Sequence, residues 1–360
     1  MDYASSLRSV KDYIRLPLVY DHWYVAGLVD EFDQTPQAKT LLERSVVFWR
    51  TENGDLNAFQ NRCLHRSFPL SEGFVQGDNL VCRYHGINYA PDGTIARIPC
   101  QERASTRRLH KYPLREVGPF VFIWMGDPDQ PDDSRFPELS FLESSQHRTV
   151  EEAMVINGNY LLMHENLNDL THFAYLHKDS FRIGEFFFDL PTQVEMRAEG
   201  VWCNRIDNNP ERAAVALPPD IQERIKGQPI ERWDGGTSVS PGVFIGYAPI
   251  YVGEDGSESD EVYEQHIVHY MTPETSTSTH YFWSMTNNFA LDNDDYYVGL
   301  KAHLSNGFAE DKWACDLMQN LLDDDSVDYK EMIIAGDKAG LLFRRVMLDW
   351  VNEEYTNTNS

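Results

Sequence analysis

Two short segments of the sequence each carry one cysteine and one histidine. The first is Cys63-Leu64-His65, and the second, Cys82-Arg83-Tyr84-His85, begins 17 residues after His65. Strand-like sequence flanks both segments, so two loops each present one thiolate and one imidazole. Such a set can hold one tetrahedral zinc ion or an iron–sulfur cluster with mixed ligands. Isolated buried cysteines are the remaining alternative.

The spacing helps to separate these alternatives. Zinc fingers usually pair Cys with Cys and His with His along the chain, whereas a Rieske [2Fe-2S] cluster needs two thiolates on one iron and two imidazoles on the other. Facing Cys-x-His and Cys-x-x-His loops can give each iron one ligand from each loop. Because neutral imidazoles replace two thiolates, the reduction potential is higher than that of an all-cysteine cluster. The pattern favours a Rieske cluster through which electrons enter.

A second group of polar residues lies on a predicted helix over residues 158–176. Asn166, Asp169 and His172 recur every third residue, and His177 follows five residues later. Asp169 therefore lies one turn below His172 and is expected to orient its imidazole. Five residues correspond to about 140° around an ideal helix. The two histidines can face one ion only if the helix ends or bulges between them.

Two imidazoles and one carboxylate on one side of Fe(II) leave positions open for dioxygen, water or substrate. The alternative is a pair of ordinary helix histidines. Candidates for the carboxylate lie in the helical stretch 308–322, where the phase of the apolar residues leaves both Glu310 and Asp311 pointing inward. An exposed acid near a helix start is the competing interpretation of Asp311.

These motifs carry a resemblance to a known family. The segment NRCLHRSFPLSEGFVQGDNLVCRYHG, residues 61–86, resembles the Rieske domain of the bacterial Rieske non-heme iron oxygenases. The pattern Asn-x-x-Asp-x-x-His-x-x-x-x-His resembles that family's iron-binding motif. Phe-x-Glu-Asp-Lys resembles the segment in which related demethylases carry their iron-binding aspartate, which selects Asp311. The C-terminal segment 336–354 is similar to the vanillate demethylase group.

The resemblance implies an oxygenase component that hydroxylates an aromatic substrate with O2, by O-demethylation of a methoxy group. Aromatic ring hydroxylation and N-demethylation with the same metals are the alternatives within this class, and a non-catalytic Rieske electron carrier is the alternative outside it. Each chain would hold one [2Fe-2S] cluster and one mononuclear Fe(II). Electrons from NAD(P)H would arrive only through a separate reductase or ferredoxin.

The resemblance also implies a homotrimer in which Asp169 bridges His85 of a neighbouring subunit to His172 of its own. Asn166 and Asp169 would then belong to the catalytic machinery. By analogy with the same group, the substrate pocket is expected around His266, His269, Thr286 and Asn288. His266 and His269 are three residues apart in a strand-like run, so they are expected to face opposite sides.

The organisation of the chain fits two domains, as its length of 360 residues suggests. Short β-like runs dominate residues 19–127, and an acidic, proline-rich stretch at 127–138 is interpreted as a linker. We predict an α+β protein with an N-terminal extension (1–18), an all-β Rieske domain (19–127) and a catalytic domain (128–360). In the catalytic domain, helices should flank a central antiparallel sheet.

Composition excludes several classes of function. Thirty-one basic and 57 acidic residues give a net charge of −26, which repels nucleic acids and anionic membranes. No apolar run is long enough to cross a bilayer, and the N-terminus lacks the apolar stretch of a secretory signal. Five cysteines in a long chain argue against a disulfide framework. We therefore expect a cytoplasmic protein without a nucleic-acid or membrane partner.

Overall fold

The computed structural model describes residues 9–102, 105–181, 184–214, 217–253, 261–324 and 329–357. The chain divides into two compact units. The small unit comprises residues 20–136 with 272–276, and the large unit comprises the chain up to Val19, residues 137–271 and the chain from Thr277 onward. Within the described ranges, no helix is long and apolar enough to span a bilayer.

The small unit is built from short antiparallel strands. They are β1 (Trp23–Leu28), β2 (Gln37–Leu41), β3 (Arg44–Arg50), β4 (Leu56–Gln60), β5 (Phe74–Gln76), β6 (Asn79–Val81), β7 (Asn88–Tyr89), β8 (Ile95–Arg97), β9 (Leu114–Val117) and β10 (Phe120–Trp124). Three sheets result, with strand orders β1-β10-β9, β2-β3-β4 and β5-β6-β7-β8. Strands β7 and β8 form a hairpin, and Gly93 in its turn has φ +85°, a conformation that glycine adopts readily.

The stretch 127–138, interpreted as a linker, belongs mostly to the small unit. The main-chain oxygens of Asp127 and Asp132 accept hydrogen bonds of 2.9 Å and 3.1 Å from the indole N–H groups of Trp124 and Trp23. Indole N–H groups on largely buried rings need such acceptors. The small unit therefore extends to Phe136, nine residues beyond the expected boundary at 127.

The large unit combines one large sheet with helices. Its elements are α1 (Val10–Tyr13), β11 (Arg148–Ile156), α2 (Tyr160–Asn168), β12 (Gln193–Arg197), β13 (Gly200–Asp207), α3 (Pro210–Ala213), α4 (Pro219–Ile225), β14 (Ile230–Ser240), β15 (Val243–Tyr247), β16 (Ile250–Val252), β17 (Glu261–Tyr263), β18 (Gln265–Thr275), β19 (Ser278–Asn287), α5 (Asp294–Leu322) and α6 (Lys338–Asn357). The last residues of β18 fall in the small unit.

The strands of the large unit form a nine-stranded antiparallel sheet. Its main path is β11-β19-β18-β15-β14-β13-β12, and β16 joins β14 to β17. One apolar core contains residues of this sheet together with residues of α2, α5 and α6. Residues from the predicted N-terminal extension, including the fully buried Tyr13, belong to the same core. The predicted α+β class, with a central antiparallel sheet and flanking helices, is confirmed.

Helix α5 places a carboxylate inside this core. Asn293 caps its first turn by accepting a hydrogen bond from the Tyr296 N–H, as asparagine commonly does. Leu304, Phe308, Asp311 and Cys315 then follow at spacings of four, three and four residues and are all buried. That spacing marks one face of a helix. Asp311 is thus the charged member of an otherwise apolar stripe.

Candidate metal centres and substrate cavity

The two Cys-His segments form equivalent tight turns in the small unit. In the first, the Cys63 N–H donates to the Phe68 carbonyl and the Ser67 N–H donates to the Cys63 carbonyl. In the second, Cys82 pairs with Ile87 and Gly86 in the same way. The fifth residue of each turn, Ser67 or Gly86, has a positive φ of 57° or 69°. Local backbone hydrogen bonds therefore set the positions of all four candidate ligands.

The turns bring like ligands together. The Cys63 and Cys82 thiols are hydrogen-bonding neighbours, and both residues are buried. The His65 and His85 imidazoles lie with their Nδ1 atoms 3.1 Å apart, and both residues are exposed. A pair of thiolates beside a pair of imidazoles is the arrangement that a Rieske cluster needs, with two sulfur ligands on one iron and two nitrogen ligands on the other. The exposed imidazoles suit electron entry from outside.

Tyr89 is a neighbour of this centre that sequence reasoning missed. Its hydroxyl lies 3.2 Å from the Cys63 sulfur and accepts a 3.1 Å hydrogen bond from the Leu64 N–H. Burial, together with the Cys63 thiol, raises the pKa of Tyr89, so its phenol keeps its proton and can donate to the sulfur. The sequence feature that could have identified it is a tyrosine, an aromatic residue with a polar hydroxyl, on the strand that follows the second Cys-His turn.

In the large unit, the helix that begins the second motif ends before the histidines. Helix α2 stops at Asn168, Asp169 adopts extended dihedrals (φ −129°, ψ 94°), and a 3₁₀-helix covers Leu170–Ala174. His172 lies in the 3₁₀-helix and His177 beyond it. The chain thus makes the interruption that two histidines five residues apart require in order to face one point.

His172, His177 and Asp311 converge at that point. The Asp311 Oδ1 atom lies 3.5 Å from the His172 Nε2 atom and 3.1 Å from the His177 Nε2 atom. One donor atom from each residue lies within 4.8 Å of the others. Both Nε2 atoms are buried without a hydrogen-bond partner among the described residues. Unpaired buried polar atoms are rare, and two imidazoles with one carboxylate are the donor set of a non-heme iron site.

The outer nitrogen of each imidazole has its own partner. His172 Nδ1 lies 2.7 Å from the main-chain oxygen of Asp169, and His177 Nδ1 lies 2.8 Å from the Glu310 carboxylate. The Ser180 hydroxyl donates to the same carboxylate at 2.6 Å. Such partners hold the Nδ1 proton and leave Nε2 free for a metal. Glu310, an alternative ligand from helical phase alone, therefore supports His177, whereas Asp311 faces both Nε2 atoms.

The pKa values of the two histidines shift in opposite directions. Burial lowers the pKa of His172, although Asp311 and the Asp169 carbonyl oppose the shift. Burial also acts on His177, but the Asp311 and Glu310 carboxylates beside its two ring nitrogens outweigh it and raise the pKa. His172 is therefore neutral near pH 7, as a metal ligand must be. A metal at His177 must compete with a proton.

Asn166 and Asp169 differ in how they relate to the triad. The Asn166 side-chain amide donates a 2.9 Å hydrogen bond to Asp311 Oδ1 and so positions that carboxylate. The Asp169 carboxylate was expected to orient His172, but it accepts a hydrogen bond from the Thr171 N–H at 2.9 Å. The main-chain oxygen of Asp169 orients His172 instead, because the chain is extended there and is no longer helical.

A cavity of about 1080 Å³ opens onto the triad. Its wall includes His172 and Asp311 together with the aromatic side chains of Phe173, Phe181 and Phe308. A largely apolar wall with a few polar groups is typical of a small-molecule site. The cavity is therefore the candidate substrate site, with two of the three candidate iron ligands, His172 and Asp311, in its lining.

Among the four residues expected at the substrate pocket, His269 lines this cavity. His266 lies on the other face of β18, as alternation along a strand requires. Thr286 follows the lining residue Met285 and bonds to Thr149. The Asn288 side chain bonds to the main chain of Glu264 and Val262. These three residues are not among those that line the cavity, since side-chain direction alternates along each strand.

Two charged pairs in the cavity wall were also missed. Arg212 binds Asp207 through two hydrogen bonds of 2.9 Å and 2.7 Å, and Arg232 binds Asp234 at 2.7 Å. All four residues line the cavity. Because each guanidinium is neutralised by its aspartate, this part of the wall is polar without a strong net charge.

Comparisons with known proteins agree with both units. Residues 22–113 match the family described as Rieske [2Fe-2S] domain, and residues 156–353 match the Vanillate O-demethylase oxygenase C-terminal domain. The second match covers more than half of the chain. The protein belongs to the vanillate O-demethylase group of Rieske oxygenases. It is a Rieske-type oxygenase that uses a [2Fe-2S] cluster and a mononuclear iron.

Individual relatives cover most of the chain. A vanillate O-demethylase oxygenase subunit from Pseudomonas sp. (strain ATCC 19151) is 30% identical over 75% of this chain and 82% of its own length. The dicamba O-demethylase oxygenase component of Stenotrophomonas maltophilia is 25% identical over 78% of this chain and 81% of its own. A crystal structure of dicamba monooxygenase with non-heme iron and dicamba has a TM-score of 0.79 at 21% identity, covering 95% and 99% of the two chains, and so shares the fold.

Proposed function

We propose that this oxygenase removes the methyl group of a methoxylated aromatic compound. The observation that carries the proposal is a cavity with aromatic walls whose lining includes His172 and Asp311, which converge with His177 as the candidate iron ligands. The vanillate and dicamba relatives are named as O-demethylases, which supports the same reaction here. His172, His177 and Asp311 would hold the iron, which when bound supplies the site for dioxygen activation.

The proposed reaction consumes O2, two electrons and two protons. One oxygen atom enters a C–H bond of the methoxy group and the other leaves as water. The resulting hemiacetal then breaks its O–CH2 bond and releases a phenol and formaldehyde. A non-catalytic electron carrier would need neither the cavity nor the buried triad, so both features favour the oxygenase.

The chain's own residues have positioning roles in this reaction. Glu310 and the Asp169 carbonyl hold the Nδ1 sides of His177 and His172, and Asn166 holds the Asp311 carboxylate. Phe173, Phe181 and Phe308 present apolar surface in the cavity wall, which disfavours water there. Burial lowers the pKa of His269 to about 4, so a neutral imidazole faces the substrate. Its hydrogen bond to the Tyr281 hydroxyl, 2.6 Å long, fixes the ring.

We further propose that a separate NAD(P)H-dependent reductase or ferredoxin delivers electrons at the exposed His65 and His85 in the cytoplasm. In a homotrimer, Asp169 would connect His85 of a neighbouring subunit to the iron site. The partial exposure of Asp169 supports this role. Part of the residue is reachable by another chain, and the Thr171 N–H holds one carboxylate oxygen in place.

Formaldehyde release tests the proposed reaction. The reduced protein is mixed with O2 and a panel of methoxylated, N-methylated and unsubstituted aromatics, and formaldehyde and ring products are measured. We expect one formaldehyde and one phenol for each methoxy compound consumed. Asp311→Asn serves as the matched inactive control. Ring-hydroxylated products without formaldehyde would replace O-demethylation by ring hydroxylation, and formaldehyde from N-methyl substrates alone would indicate an N-demethylase.

A further inference from the structure

A second group of two imidazoles and one carboxylate lies away from the substrate cavity. It consists of His147, Glu264 and His266, which together offer three donor atoms within 4.8 Å of one another. Their side chains are 13%, 42% and 26% exposed. Gln265 and Ile267 line the cavity, so His266 between them points to the opposite face of β18. This group is therefore separate from the iron triad.

Two of the distances within the group are comparable with those between the ligands of a small cation. The Glu264 Oε2 atom lies 2.8 Å from the His147 Nε2 atom and 3.5 Å from the His266 Nε2 atom. Ligands at zinc distances of about 2.0–2.1 Å in a tetrahedron are separated by about 3.3 Å. The two observed separations lie on either side of that value, and the shorter one is a hydrogen bond that a bound ion would replace.

The surrounding structure holds these ligands in place. The His266 ring stacks on Phe141, with centroids 4.2 Å apart and planes 6° from parallel. The Glu264 N–H donates to the Asn288 side chain at 2.8 Å, and the Asn288 amide donates to the Val262 carbonyl at 3.1 Å. His147 directly precedes strand β11. The ligands thus come from two separate, well-anchored parts of the large unit.

We propose that His147, Glu264 and His266 form a Zn²⁺ site distinct from the oxygenase iron site. Two imidazoles and one carboxylate, with water as the fourth ligand, are a known zinc donor set. Calcium and magnesium prefer oxygen ligands throughout, so the two imidazoles disfavour both ions at this site. A bound ion would tie the start of β11 to the start of β18. Because it binds the folded form, it would raise thermal stability.

Zinc titration of the iron-loaded oxygenase tests this site. After equilibration with Zn²⁺ and removal of excess metal, zinc and iron per chain are measured, and Co²⁺ is used as a spectroscopic probe of tetrahedral coordination. We expect about one zinc per chain with the iron content unchanged, and a thermal midpoint that rises with zinc concentration. His266→Gln and Glu264→Gln should weaken Co²⁺ binding by more than the roughly 10- to 100-fold that loss of a supporting residue typically causes.

The control is Glu143→Gln, which removes an exposed carboxylate four residues before His147 and should bind metal like the wild type. His147→Gln tests the site from its other segment, and the visible absorption of the Rieske cluster with circular dichroism verifies folding of every variant. Equal binding by wild type and the three site variants would overturn the proposal. Zinc uptake accompanied by equivalent iron loss would also overturn it, because the zinc would then occupy the iron triad.

Discussion

Substituting each of the two adjacent acids of α5 in turn distinguishes a metal ligand from a residue that supports a ligand. Asp311 faces the Nε2 atoms of His172 and His177, at 3.5 Å and 3.1 Å. Glu310 bonds to the opposite, Nδ1 side of His177 at 2.8 Å. We therefore expect Asp311→Asn to remove the mononuclear iron and Glu310→Gln only to weaken its binding.

The magnitudes follow from the contacts that each change removes. Asp311→Asn replaces the anionic ligand, so iron should fall from about three to about two per chain, the two of the cluster. Glu310→Gln keeps the shape of the side chain and the possibility of hydrogen bonds to Ser180 and His177, but loses the charge. Loss of such a partner typically costs about 10- to 100-fold in metal affinity, or roughly 1.4–2.7 kcal/mol.

The assay combines iron analysis with the Rieske visible spectrum, which serves as an internal measure of the cluster. Each variant is titrated with Fe(II) without oxygen, and turnover is measured at saturating iron. Excess iron should restore occupancy in Glu310→Gln but not in Asp311→Asn. The assignment would be refuted if Asp311→Asn kept its third iron, or if Glu310→Gln lost that iron irreversibly while its cluster spectrum stayed normal.

Three further predictions address other parts of the chain. Tyr89→Phe removes a hydrogen bond to the Cys63 sulfur worth about 1 kcal/mol, so the cluster midpoint potential should fall by about 40 mV in a redox titration; an unchanged potential would refute this role. Asp169→Asn should keep both metals yet lose most turnover, and wild-type coupling between reduction and product formation would contradict the bridge. Burial lowers the pKa of His164 to about 3, below about 6.5 unfolded, so stability present above pH 6.5 is lost as pH falls toward 3. Between pH 7 and pH 5 the free energy of unfolding should fall by about 2 kcal/mol. Denaturant unfolding at the two pH values measures this loss, and His164→Gln should reduce it.

Local sequence carried much of the information about the metal centres. Each Cys-His pair lies within one tight turn, whose backbone hydrogen bonds join residues four and five positions apart. The relative positions of such ligands depend on a few neighbouring dihedrals, so spacing alone restricted the chemistry. In the second motif, the five-residue interval between His172 and His177 predicted a break in the helix because of helix geometry, and the chain breaks from Asp169 onward.

Contacts between residues far apart in the sequence could not be predicted from local spacing. Helical phase turned both Glu310 and Asp311 inward, and only the packing of α5 against the segment after α2 set one acid toward Nε2 and the other toward Nδ1. Because the backbone at Asp169 is extended, the main-chain carbonyl of Asp169, and not its carboxylate, orients the His172 imidazole. These outcomes depend on rotations and translations between elements that no local pattern specifies.

The sheet of the large unit shows the same difference between what local sequence predicts and what long-range packing decides. Sequence predicted a strand-like run around His266 and His269, and alternation along a strand showed that these two residues must face opposite sides. Strand order and the helices that cover one face of the sheet decided which side meets the cavity. They also placed His266 beside His147, which lies more than a hundred residues earlier in the chain. Sequence by itself determined the kinds of donor and their local spacing, whereas tertiary structure decided which donors meet, because long-range packing sets the distances between separate elements.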